Sequence, residues 1–172
     1  MPDAGAVGLA THVGRVLRRI WDPIDLGGWG PEDEYDSYVP GLVALTCDHV
    51  VFEEVLIAHL GRIEVEQMCM SLTPAKRTRA ARALLGLRHA HMQGFGRLVE
   101  QWSSLDGLRC LWVIETRDGL YAYEEGILQH EDDENGRYSW WADAGLGRSG
   151  LFDTVEAAER EAHAVTGWLR EG

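Results

Sequence analysis

Apolar positions recur at helical spacing through the first hundred residues and switch to strict alternation after Leu108. Between residues 6 and 20, Val13, Val16, Leu17 and Ile20 share one side of a helix, and Arg15, Arg18 and Arg19 lie off it. Pro23 ends that helix near Trp21, because proline lacks an amide hydrogen and its ring drives Asp22 out of helical angles. A second helix is expected from about Asp36, whose carboxylate would cap free amides. Pro40 is tolerated in its first turn, and Val39, Leu42, Val43 and Thr46 face inward. The third, over 51–70, has Phe52, Val55, Leu56, Leu60, Ile63 and Met68 as its stripe, with Glu53, Glu54, Arg62, Glu64 and Glu66 covering the rest. Thr73 as cap and Pro74 as first residue open a fourth helix that Gly86 ends near Leu85 or Leu87. Met92, Phe95, Leu98, Val99 and Trp102 keep helical spacing and predict a fifth helix within 88–107, weakened by Gly94 and Gly96.

The alternating half reads as strands. L-R-C-L-W-V-I-E, then R-D-G, then L-Y-A-Y-E predicts a β-hairpin turning at Asp118 and Gly119. Residues 130–136 form a polar, acidic connection to a third strand over 138–143, with Tyr138, Trp140 and Ala142 on one face and Ser139 and Trp141 on the other. Trp112, Trp140 and Trp141 cannot all point one way in such a sheet, which leaves an aromatic face for the N-terminal helices or for another protein. Asp153 with Glu156 resembles a capping box before a last helix bearing Val155, Ala158, Ala162, Val165 and Leu169, a cap whose loss costs about 1 kcal/mol. The fold class expected is therefore α+β. An N-terminal helical bundle, 1–102, precedes a small three-stranded antiparallel meander covered by a C-terminal helix, 108–172.

Composition narrows the function classes. The 172 residues are 45% hydrophobic and 26% charged, as in a soluble globular chain, and carry a formal charge of -12. That charge disfavours nonspecific attachment to nucleic acid or anionic lipid and favours a basic partner. Its distribution is acidic, basic, acidic: residues 67–99 hold no acid but contain Lys76, Arg77, Arg79, Arg82, Arg88 and Arg97, a segment expected to neutralise its own flanks. Cys47, Cys69 and Cys110 form no C-x-x-C pair, so reduced thiols are expected. With no apolar run of roughly 20 residues and no signal-like start, the expected location is the cytoplasm.

The densest chemistry lies in W-D-P-I-D-L-G-G-W-G-P-E-D-E-Y-D-S-Y, residues 21–38. Two prolines and three glycines make it a fixed loop in which Trp21 and Tyr35 are expected to plug the helices. Asp25, Trp29, Glu32, Asp33, Glu34 and Asp36 are its candidate partner-binding residues, with Trp141 added from the β-face. The acids do not match the alternating ligand pattern of a calcium loop, so capping, solvation and attraction of a basic partner are preferred over metal binding. No nucleophile elbow or phosphate loop is present, and although Gly145, Gly147 and Gly150 match G-x-G-x-x-G, no βαβ unit surrounds them. No catalytic residue, metal or cofactor is expected. A metal-dependent enzyme or regulator using the acidic loop with His89 or His91 is the alternative, and a structural module of a larger assembly is another.

The 21–38 stretch, followed by V-P-G-L-V-A-L and later by I-E-V-E-Q-M, resembles a family of short bacterial helical proteins of unassigned function. Members carry W-D-P-I-G, a loop, then D-E-Y-D and a helix, ending in I-E-x-E-x-M. The resemblance covers roughly the first 70 residues; Asp25 stands where that family has glycine, and 108–172 lies outside it. It implies an immunity-type protein that accompanies a secreted bacterial toxin, and the acidic composition agrees with a basic toxin whose encounter charge would steer.

Overall fold

The computed structural model describes residues 4–26, 30–70, 73–94, 96–134 and 136–170. It is a mixed helix and sheet structure. Helix α1 (Ala4–Val16) widens into a π-turn, Leu17–Trp21, in which the Asp22 amide donates to the Leu17 carbonyl. A short 3-10 turn, Asp36–Tyr38, leads into α2 (Val39–Cys47) with Pro40 in its first turn, although no side chain caps that end. Helix α3 (Glu53–Arg62) also ends in a π-turn, Ile63–Gln67, and α4 spans Pro74–Met92.

Gly86 does not end α4. A β-carbon there would lie 3.2 Å from Gln101 Oε1 and 3.3 Å from Cys110 Sγ, so the missing side chain lets the sheet pass close to the helix. The expected fifth helix is instead the end of α4 and a strand, β1 (Arg97–Ser103). Gly96, at φ 156°, makes the break, since a β-carbon there would sit 2.1 Å from the Glu115 carbonyl oxygen. A bulge between Leu98 and Glu100 explains the misleading period: Leu98 packs on the helical side, whereas Val99 and Trp102 pack on the opposite side.

Strands β2 (Arg109–Glu115), β3 (Tyr121–Asp133) and β4 (Gly136–Arg148) complete an antiparallel sheet in the order β1-β2-β3-β4, four strands among the described residues rather than the three expected. The expected turn at Asp118 and Gly119 joins β2 to β3. The segment 130–136 is mainly the paired arms of a long hairpin, and Arg137 bonds Asp132 at 2.9 Å across it. Helices α1 to α4 cover one sheet face through a core that joins Leu17, Leu42, Leu56, Leu60 and Leu84 to Trp112, Leu128 and Trp141. Helix α5 (Val155–Val165) covers the other face, with Ala158 and Ala162 on Leu111 and Val113.

Two local expectations on these helices change. Glu53 and Glu64, expected on the wet side of α3, are buried, whereas Phe52 and Val55 from the expected stripe are exposed. The cap of α5 is Thr154, whose side chain accepts from the Ala157 amide at 3.2 Å, rather than Asp153. Replacing Thr154 by Ala should therefore lower stability by about 1 kcal/mol, while Asp153→Ala stays within about 0.5 kcal/mol of the parent. Urea midpoints of the two variants check this assignment.

Candidate functional site

The residues of the 21–38 stretch divide into an inner set and an outer set. Trp21 is fully buried, and its indole donates to Glu64 Oε1 at 2.8 Å. Glu64 has no exposed surface, and its other carboxylate oxygen is 3.0 Å from Arg77 Nε on α4. Asp22 adopts a left-handed conformation, φ 31°, that short polar side chains tolerate. It is buried, with Oδ1 accepting from the Leu26 amide at 3.0 Å and from the Tyr35 hydroxyl at 2.8 Å. Burial, then that hydrogen bond and the Asp22 charge, push the Tyr35 phenol well above its ordinary range. Tyr35 and Tyr38 rings pack on Trp21 with centroids 5.8 and 6.2 Å away. The two π-turns meet here, one ending at Trp21 and the other holding Glu64.

On this anchor the outer set faces water. Asp25, Glu32, Asp33, Glu34 and Asp36 are all exposed. Among the described residues only Asp25 of these five has an ion pair, with Lys76 at 3.5 Å. Arg18 donates to the Glu32 backbone carbonyl, which ties that part of the loop to the π-turn after α1. Trp29, also a candidate, lies outside the described residues.

The cations of α4 are directed at neighbouring elements. Besides Lys76 and Arg77, Arg79 donates to the Ser103 and Ser104 carbonyls at 3.0 and 3.1 Å, and Arg82 pairs with Glu53 at 2.9 Å. Arg88 donates to the carbonyls of Asp48 and Val51. The acid-free segment thus ties the helices and the β1–β2 turn together, and of the outer acids it offsets Asp25 alone.

Trp141 faces the helical layer with Ser139, as the alternation predicts, and is only 6% exposed, edge-on to Trp112 at 5.4 Å. It therefore offers no open surface to a partner. Tyr138 and Trp140, on the opposite alternation, are exposed and stacked on each other, and Tyr138 touches the exposed ring of Phe52.

His89 and His91 do not converge. His89 packs on Trp112 with tilted rings, centroids 5.1 Å apart, while His91 is exposed in the last turn of α4. Among the described residues no three His, Cys, Asp or Glu side chains group as a metal site. Ser139 Oγ is 2.8 Å from His130 Nδ1, and Glu53 Oε2 is 4.0 Å from that same nitrogen, so the two do not address opposite ring nitrogens as a relay would.

Residue spacing carried a signal for the anchor that side-chain polarity hid. Leu56, Leu60 and Glu64 are each four apart, so Glu64 continues the buried stripe. No protein-family model, no curated protein and no solved structure matches the chain. No helix among the described residues is long and apolar enough to cross a membrane.

Glu64→Ala should destabilise the fold by about 3 kcal/mol, because it strands the Trp21 donor and leaves Arg77 facing a cavity. A urea midpoint within error of the parent would remove the anchor from the account.

The histidines set a pH dependence. Burial lowers the pKa of His12, His59 and His89, so the unfolded chain binds more protons than the folded one below about pH 6.5. Their contribution is complete above that value and is lost as pH falls through it. The urea midpoint is expected to drop between pH 7.5 and 5.5, and His89→Gln to make that drop shallower.

Proposed function

We propose that the chain is a non-enzymatic, acidic binding protein of the immunity type, which neutralises a basic protein toxin through the loop over 25–36. One observation carries this reading: Glu32, Asp33, Glu34 and Asp36 face water on a backbone that buried Asp22, Tyr35 and Trp21 hold in place. A recognition surface gains from such fixing, since little conformational freedom is lost on association. Outward negative charge raises the encounter rate with a basic partner and rejects acidic ones. The arginines of α4 turn to other elements and Lys76 pairs only with Asp25, which leaves the field of Glu32, Asp33, Glu34 and Asp36 largely uncancelled. The 21–38 and 63–68 stretches that carry the family resemblance meet at the Trp21–Glu64 hydrogen bond, which supports reading them as one unit.

Co-expression with a basic toxin encoded beside it tests the proposal. The parent chain is expected to restore growth. A variant with Glu32→Lys, Asp33→Lys and Glu34→Lys should lose that protection and associate at least about tenfold more slowly at low salt, with normal folding. Equal survival with and without the chain, across every neighbouring toxin, would sink it.

A further inference from the structure

The sheet has two edges, and they are treated differently. Along β1, His12 Nε2 on α1 donates to the Leu98 carbonyl at 3.1 Å and Arg15 donates to the Val99 carbonyl at 3.1 Å, while Arg15 and Arg19 both pair with Glu100. Helix α1 and the π-turn after it thus close that edge with side chains. Along β4, a strand of 13 residues, no described residue outside the sheet donates to or accepts from the backbone of 137–142. Long open edges are normally blunted because they recruit other strands.

We propose that the β4 edge is a second docking surface, which takes an extended basic segment of a partner protein as an added strand. The inference rests on the reading of the chain as a protein-binding module and supplies the chemistry of the segment bound. Strand addition provides affinity through backbone hydrogen bonds and specificity through pockets for alternate side chains.

Both requirements are met beside β4. Phe52, Met92, Tyr138 and Trp140 are exposed, and they line a cleft of about 210 Å³ together with His49 and Trp141. That volume admits one apolar side chain as an anchor. Trp141, in the wall of the cleft, keeps its buried indole N–H without a hydrogen-bond partner among the described residues.

Charge selects the occupant. Glu54, Glu131 and Glu134 are exposed around the far end of β4, and Glu54 acts electrostatically on Arg137. The nearby cations are already committed, Arg137 to Asp132 and Arg88 to two backbone carbonyls. A basic strand meets complementary charge there, whereas a second copy of a chain with net charge -12 meets repulsion.

The test uses the full chain and an array of labelled octapeptides in which Lys or Arg alternates with apolar residues, beside an array with Glu in the basic positions. Members of the basic array are expected to bind by fluorescence anisotropy and to slow amide hydrogen exchange at 137–142. Trp140→Lys should weaken binding at least about tenfold, with Tyr138→Lys as the second variant should the first not fold. The triple lysine variant of the 32–34 loop should leave peptide affinity within about twofold. Toxin protection lost with that variant while peptides still bind separates failure of the loop from failure of the edge. Absence of any basic binder, equal binding of acidic peptides, protection confined to other strands, or sedimentation showing self-pairing through β4 would each overturn the inference.

Discussion

A carboxylate without solvent access, held between an indole and a guanidinium, is the constraint on which the structure turns. Glu64 is unfavourable in the interior unless both oxygens are satisfied, and Trp21 and Arg77 come from elements 43 residues before it and 13 after it. Meeting that requirement fixes α1, α3 and α4 relative to one another. Because Trp21 is the last residue before the loop, the same bond sets where the loop begins. Asp22 and Tyr35 then close it from within. Glu32, Asp33, Glu34 and Asp36 face water beside these internal groups.

Helix α4 performs the corresponding task between layers. Its arginines reach α3, the α2–α3 connection and the β1–β2 turn, so the positive charge of the middle segment is distributed along internal seams. The sheet lies between this helix and α5, with aromatic and aliphatic side chains on both faces. One edge is closed by side chains of α1 and its π-turn, and the other carries no such bonds over 137–142 among the described residues. The surface therefore has two distinct regions, an acidic loop over the helical layer and an aromatic strip along β4.

The helical half was legible where period and punctuation agreed: Pro23 and Pro74 mark real boundaries, and the β2–β3 turn lies at Asp118 and Gly119. Reading failed where a tertiary contact overrode the local pattern. Gly86 resembles a stop until the sheet it admits is known, and the β1 bulge turns alternation into a helical period. The length of the final hairpin was hidden because an exposed strand end has no reason to be apolar, so 130–136 resembled a connection. At the candidate site the aromatic plugs Trp21 and Tyr35 were readable as such. Their partners were not, since nothing in a glutamate's polarity reveals that an arginine and an indole await it; only its place on the Leu56 and Leu60 stripe does. Trp141 shows the same limit, for alternation gave its face but not which face the helices cover.

The Lys76 ion pair with Asp25 has a chemical corollary. The chain contains a single lysine, and its ammonium stands 3.5 Å from a carboxylate of the acidic loop. Amine-directed reagents, and any acylation the cell applies to side-chain amines, consequently have one side-chain target. Neutralising it would release Asp25 and leave the surroundings of the loop one charge more negative, so a single acyl group would act directly on the field of the acidic loop.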